Sequence, residues 1–238
     1  MSKSDKMTLN RLLQIYVEKN KTPNQTYELE VKFGTRNIKK ISNIDFINVL
    51  KKIKSLGFTS ENEEGEYLLR IQQENTNRQI QKIRKEIKGI DNIKTYCKEN
   101  NTKQIDDAFI TYEKKTMCET NEGEKIYPIN KDEYNLRISL NAEKVLEKEN
   151  IDSIELEKTE ESAKKLFRYI HRTTYRKANF PFKIDMSIVK TNKSTSKNIP
   201  ILTTNFKDAE VFNNIERYEI EIEADNGFIK KQTLGVVE

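Results

Sequence analysis

Glu28, Glu30 and Lys32 take alternate positions in YELEVKFGT (27–35), with Tyr27, Leu29, Val31 and Phe33 between them. Near the other end of the chain, Arg217, Glu219, Glu221 and Glu223 alternate with Tyr218, Ile220 and Ile222 in ERYEIEIEAD (216–225). Strict alternation of this kind predicts β-strands with one apolar and one charged face. For one strand alone, a charged face is most simply a wet face. Same-face neighbours along a strand lie only about 7 Å apart, however, so Glu219, Glu221 and Glu223 repel one another. Carboxylates gathered without His or Cys select a hard cation, Mg²⁺ or Mn²⁺, over zinc. Arg and Lys opposite them select oxyanions, phosphate above all. A metal on one wall with bases on the others suits a chain of phosphates.

The elements that must hold these residues are mostly strands. Alternation predicts them at about 65–74 (GEYLLRIQQE), 78–87 (RQIQKIRKEI), 108–118 (AFITYEKKTMC), 133–142 (EYNLRISLNA), 167–177 (FRYIHRTTYRK) and 181–189 (PFKIDMSIV), beside the two already described. A short strand fits 94–98. In 133–142 the polar face is Glu133, Asn135, Arg137, Ser139 and Asn141. Helical spacing marks Leu9, Leu12, Leu13, Tyr16 and Val17, with Thr8 as cap, and Phe46, Val49, Leu50 and Ile53, with Ser42 and Asp45 as a capping pair and Gly57 as the stop. The polar segment 143–165 leans to a helix around 152–165, and KTNKSTSKN (190–198) reads as a basic loop.

These elements predict a mainly β (α+β) fold: an antiparallel eight-stranded β-barrel tunnel with a polar, charged lumen and a few helices packed outside. Acids gather on strands near the two ends of the chain and bases on those between. Glu28 and Glu30 are therefore expected to face Glu219, Glu221 and Glu223 across a narrow lumen. The organisation expected is a single domain over 1–238: an N-terminal helix in 1–25, the barrel over 26–225, and a C-terminal segment or linker over 226–238.

Composition narrows the class. The 238 residues are 34% charged and 35% hydrophobic, with 43 Lys plus Arg against 38 Asp plus Glu, so a net charge of +5 does not by itself call for nucleic acid. The 2 cysteines, Cys97 and Cys118, make no disulfide framework and no zinc cluster, which predicts reduced thiols in an intracellular protein. There is no apolar run long enough for a membrane span and no signal-peptide pattern at Met1, so a soluble protein without membrane partners is expected.

ELEVKFG (28–34) resembles the E-x-E-x-K-F-G first-strand signature of the triphosphate tunnel metalloenzymes, and YEIEIE (218–223) resembles their acidic last strand. LRISLNAE (136–143), RYIHRTTY (168–175) and FKIDMS (182–187) are similar to the middle strands of one branch, the fungal, protozoal and DNA-virus RNA 5′-triphosphatases that begin mRNA capping. The N-terminal domain of giant-virus capping enzymes is the likeness that the Lys, Asn and Ile bias adds. The match covers about 26–225, and its strength lies in the order of the motifs, since E-x-E-x-K alone is weak.

The resemblance implies a Mg²⁺- or Mn²⁺-dependent enzyme that removes the γ-phosphate of 5′-triphosphate RNA, with NTP hydrolysis besides. It also implies a following guanylyltransferase domain in a longer chain and a virus-encoded protein of the host cytoplasm or virion. Glu28, Glu30, Glu219, Glu221 and Glu223 are the implied metal residues, and Glu143 the implied orienter of the attacking water. Lys32, Arg168, Arg172, Lys183 and Asp185 match substrate-binding positions, and Lys115 and Arg137 match more weakly. Arg70 and Arg84 join them by strand parity. Ile170 stands where the family has a lysine, which means either a lost phosphate contact or a local shift of register. His171 falls on the parity opposite to Arg172 and is expected to be structural, and Tyr175 and Phe180 are expected to pack in the wall. The K-x-D-G motif of guanylyltransferases and the C-x₅-R motif of cysteine phosphatases are absent. The rival readings are a tunnel enzyme for tripolyphosphate, NTP or thiamine triphosphate, and a non-catalytic barrel that binds polyphosphate or RNA ends.

Overall fold

A computed structural model describes residues 3–20, 26–34, 40–74, 79–147 and 162–228. Its strands are β1 (Thr26–Phe33), β2 (Glu66–Glu74), β3 (Ile80–Lys88), β4 (Ile110–Met117), β5 (Ile129–Lys131), β6 (Leu136–Leu146), β7 (Lys165–Tyr175), β8 (Phe182–Thr191) and β9 (Arg217–Ala224). They run in the order β1-β9-β8-β7-β2-β3-β4-β6, and β6 pairs back onto β1, so the sheet closes into an eight-stranded antiparallel barrel. The short β5 is an extra strand on β6. Closure pairs every long strand on both sides and leaves no open edge.

The barrel turns its apolar faces outward. Helix α1 (Lys3–Lys19) lays Leu12 and Tyr16 on Leu29 of β1 and Leu140 of β6. Helix α2 (Asn43–Ser55) packs Phe46 and Ile53 on Ile184 of β8 and Ile220 of β9. Helix α3 (Ile90–Glu99) packs Ile93 and Tyr96 on Leu69, Ile87 and Phe167. Because the apolar residues alternate with charged ones, covering the outside leaves the charged set inside.

Ser42 and Asp45 do form the capping box of α2, and Gly57, at φ +83°, takes the left-handed turn just past its end. Several local expectations need correction. The strand expected at 94–98 is part of α3, because Ile90, Ile93 and Tyr96 follow helical spacing that a five-residue window cuts through. Thr8 lies inside α1, which already runs from Lys3. The polar face proposed for 133–142 starts only at Arg137, since a 3-10 turn takes Asp132–Tyr134 and Asn135 adopts φ 50°. The helix expected around 152–165 falls mainly on residues outside those described, and at its end Lys165 already belongs to β7.

Candidate functional site

The lumen holds a cavity of about 350 Å³ whose lining is almost entirely charged. Antiparallel register sets the site. On the β1–β9 ladder Glu30 is paired with Glu223 and Lys32 with Glu221. The glutamates of β1 and β9 are thus neighbours on one wall, where the sequence had suggested that they face each other across the lumen. The closure of the barrel accounts for the difference, since it joins the first strand to the last.

On this wall Glu28, Glu30 and Glu223 each offer a carboxylate oxygen, all within 4.8 Å of one another. Asp185, Glu221 and Glu223 form a second such group, so Glu223 is common to both. Among the described residues, neither group contains His or Cys. Glu30 is fixed from β6, as its Oε1 accepts from Ser139 Oγ at 2.9 Å and from Asn141 Nδ2 at 3.0 Å. Asp185 is 1% exposed, and its Oδ2 has no hydrogen-bond partner. An orphaned buried carboxylate oxygen beside all-oxygen donors fits a hard divalent cation.

Ammonium groups stand among these acids. Lys115 Nζ lies 2.8 Å from Glu28, 3.3 Å from Glu30 and 3.3 Å from Glu143. Lys183 lies 2.7 Å from Glu223 and 3.7 Å from Asp185, and Lys32 lies 2.5 Å from Glu221. Burial pushes the Glu28 carboxyl up against the opposing pull of Lys115, and Glu143 adds to the rise. Burial likewise raises Glu223 despite Lys183, with Glu28 and Asp185 adding to it. At Glu221 burial acts in the same sense, but Lys32 and then Arg172 overcome it and hold the carboxyl at about 2.

The wall formed by β7, β2, β3 and β4 is richer in guanidinium groups, though not purely basic. Arg70 Nε donates to Glu86 at 2.6 Å, and Arg84 bridges Glu113 at 2.7 Å and Glu143 at 2.9 Å. The expected segregation of bases from acids is therefore incomplete, because buried guanidinium groups need partners. Arg172 Nε donates to Ser187 Oγ at 3.3 Å, and its fork lies 3.7 Å from Asp185 and 4.0 Å from Glu221. Gly65, directly before β2, lies so close to β7 that a Cβ there would stand 2.6 Å from the Arg172 carbonyl oxygen.

Glu28, Glu30, Lys32, Arg70, Arg84, Lys115, Glu143, Arg168, Arg172, Lys183, Glu221 and Glu223 all line the one cavity. Asp185 lines an adjoining polar cavity of about 270 Å³, which shares Glu66, Arg172 and Lys183 with the first. Two candidates are not on the lining. Glu219 pairs with Arg168 and belongs to neither carboxylate group. Arg137 pairs with Lys32 in the β1–β6 register, and its Nε is buried without a hydrogen-bond partner. Sequence reasoning gave no role to Glu66, Glu86, Glu113 or Lys88, which also line the cavity. Parity could have found Glu86 and Glu113, each two residues from a chosen base on its strand.

Ile170 sits in unbroken ladders with both β2 and β8, so no shift of register occurs there. His171 stacks on Tyr67 at 4.4 Å, with Nε2 2.6 Å from the Glu64 carbonyl oxygen. Tyr175 is buried under α2, and Phe180 meets Phe58 edge-on. Burial pushes the Cys97 thiol up to about 11, which is unlike a nucleophilic thiolate. No helix among the described residues is long and apolar enough to cross a membrane.

No protein-family model matches the chain, and no curated protein does. Solved structures do. The triphosphatase of the mimivirus capping enzyme superposes with a TM-score of 0.61 at 16% identity, over 99% of this chain and 97% of that one. The RNA triphosphatase domain described with a trifunctional mimivirus mRNA capping enzyme gives 0.57 at 16% identity, over 99% and 97%. An RNA triphosphatase of S. pombe gives 0.50 at 14% identity, over 99% and 85%. The chain thus shares its fold with these proteins over nearly its whole length.

Proposed function

We propose that this chain is a metal-dependent RNA 5′-triphosphatase. It would hydrolyse the γ-phosphate of a 5′-triphosphate end to leave a 5′-diphosphate end and orthophosphate, and would accept NTPs as well. The observation that carries this reading is one lumen in which the carboxylate group Glu28, Glu30 and Glu223 opens on the same cavity as Arg70, Arg84, Arg168 and Arg172. The fold shared with RNA triphosphatases adds weight to it.

Glu28, Glu30 and Glu223 would hold Mg²⁺ or Mn²⁺, with Asp185 and Glu221 adjoining. When bound, the cation polarises the γ-phosphate and neutralises charge that develops on it. Lys32, Lys183 and Arg172 stand beside these carboxylates and would grip the non-bridging oxygens, while Arg70, Arg84 and Arg168 hold the chain in line. Glu143, between Arg84 and Lys115, would orient a water and take its proton as the water oxygen bonds to the γ-phosphorus. The bond from that phosphorus to the β–γ bridging oxygen breaks, and the electron pair leaves with the diphosphate end.

We infer further that 1–238 act as one tunnel domain, and that in a longer chain a guanylyltransferase domain follows. A virus-encoded protein working inside the host cell agrees with the mimivirus likeness. The test is phosphate release from triphosphate-ended RNA, NTP and inorganic tripolyphosphate, each with Mg²⁺, with Mn²⁺ and in EDTA. Metal-dependent release from the RNA end supports the proposal. Release that persists in EDTA, or no release with either metal, overturns it.

A further inference from the structure

The polar cavity of about 270 Å³ opens beside the lumen at the end of the barrel where β2 and β8 begin and β7 ends. The two cavities share Glu66, Arg172 and Lys183. Lys183 Nζ is 2.7 Å from Glu223, so the smaller cavity adjoins the group of Glu28, Glu30 and Glu223. In the opposite direction the lumen lining stops on β7 at Arg168, which pairs with Glu219. A chain of phosphates seated among the lumen charges would have its outer end at the smaller cavity.

The outer wall of that cavity is fixed by its own hydrogen bonds. Thr59 and Arg176 exchange two backbone bonds at 2.8 Å, which pin the start of the 60–66 loop to the end of β7. Ser60 Oγ donates to the Asn62 carbonyl oxygen at 2.9 Å, and Asn62 Nδ2 donates to that of Gly65 at 2.8 Å. Gly65 brings the chain close against Arg172, and Glu66 enters β2 paired with it.

The lining differs in kind from that of the lumen. Ser60, Asn62 and Thr174 bring neutral donors and acceptors among the charges, and no aromatic or aliphatic side chain takes part. Glu61, Glu66 and Asp185 would repel a further phosphate, whereas carboxylates accept readily from hydroxyl groups. The volume falls below the roughly 300 Å³ at which pockets for drug-sized ligands begin, which suits a sugar and offers a base no ring to stack on. Glu66 also has accepting capacity to spare. Among the described residues, every other carboxylate lining the lumen has a lysine or arginine nitrogen at 3.3 Å or closer. Glu66 has none.

We propose that this cavity is the subsite for the ribose of the nucleotide that carries the triphosphate, and that Glu66 accepts a hydrogen bond from its 2′-hydroxyl. In RNA the 3′ oxygen carries the chain onward, so the 2′-hydroxyl is the free donor and the group that tells RNA from DNA. The proposal rests on the triphosphatase reading for the phosphates that bring the sugar there. It goes beyond that reading in selecting ribonucleotides over deoxyribonucleotides.

The test is calorimetric binding of β,γ-methylene ATP and of its 2′-deoxy form in Mn²⁺, since neither has a β–γ bridging oxygen to cleave. The parent should bind the ribo form about tenfold more tightly, the worth of one hydrogen bond to a charged group. Glu66→Ala should weaken the ribo form by about that factor and leave the 2′-deoxy form unchanged, because only the ribo form offers the hydroxyl. Equal affinity of the parent for the two forms overturns the proposal. So does equal weakening of both by Glu66→Ala, which would assign Glu66 to the phosphates or to the fold, and so does binding of neither. Failure of the triphosphatase reading shows separately, as no phosphate release from triphosphate-ended RNA while the two forms still bind with different affinity. Failure of the subsite alone shows as metal-dependent release with the two forms bound alike.

Discussion

Glu30 on β1 and Glu223 on β9 stand directly opposite each other in the ladder that closes the barrel. Like charges in that relation destabilise a sheet unless a cation answers them. In the structure the answer comes from ammonium groups, Lys115 at 3.3 Å from Glu30 and Lys183 at 2.7 Å from Glu223. A divalent cation among these carboxylates would compete with both lysines for the same oxygens.

Glu30→Gln keeps the shape and removes one charge of that pair. Metal-dependent phosphate release should fall by about a hundredfold or more, the loss of roughly 3 kcal/mol of stabilisation. The fold should survive, because Ser139 and Asn141 can still bond the amide, and the metal-free melting temperature should not drop. The rise in melting temperature that Mn²⁺ gives the parent should shrink in the variant. Full activity with an unchanged Mn²⁺ shift would return Glu30 to an ordinary polar wall.

Arg172 and His171 are adjacent in sequence and point to opposite sides of β7. Arg172→Ala should cut phosphate release about a hundredfold, and Arg172→Lys should rescue only in part, since a point charge cannot replace a fork. His171→Ala loses its stacking on Tyr67 and should lower the melting temperature with little change in activity per folded molecule. A larger activity loss at His171 than at Arg172 would contradict the lumen-facing assignment of β7.

Lys115→Met tests the ammonium among the acids. Without it Glu28, Glu30 and Glu143 share a lumen wall with one cation fewer, at a cost of about 3 kcal/mol in the metal-free state. Saturating Mn²⁺ should then stabilise Lys115→Met by more degrees than it stabilises the parent. Chemical denaturation with and without Mn²⁺ measures both effects. An equal Mn²⁺ shift in the two proteins would show that Lys115 and the metal do not compete.

Much of the site was legible because a strand's period of two ties charge to one face. Glu28, Glu30, Arg70, Arg84, Arg172 and Glu221 were found on the lumen from alternation alone or with the help of motif likeness. What alternation cannot give is which strands become neighbours. That is why Glu30 and Glu223 emerged side by side, and why Glu219 turned out to pair with Arg168 outside the carboxylate groups. Glu86 and Glu113 escaped because each sits beside a base on its own strand and reads there as surface charge balance. The stretch at 94–98 failed for a different reason. Its helix is defined by Ile90 and Ile93, which lie before the window, and by packing on Ile87 and Phe167.

Glu86 also makes the acid side of the stability profile testable. The residue is 4% exposed. Burial acts to raise its pKa, but Arg70, and then Lys88 and Arg84, hold it below the usual carboxylate value. A carboxyl depressed in the folded state contributes stability that is complete above its unfolded value, roughly pH 4.3, and is lost as pH falls through the folded value. Glu86→Gln cannot carry that charge at any pH and leaves Arg70 buried without its partner, so it should be less stable than the parent at neutral pH by about 3 kcal/mol. The gap should narrow as the parent's Glu86 protonates, and the two denaturation midpoints should approach each other as the pH falls through the folded value. Other depressed carboxyls such as Glu221 and Asp225 titrate in both proteins and cancel in the comparison. Urea midpoints of parent and variant in EDTA, measured from pH 7 downward, read this directly. A gap that stays constant through the acid range would mean that Glu86 does not hold Arg70 by charge.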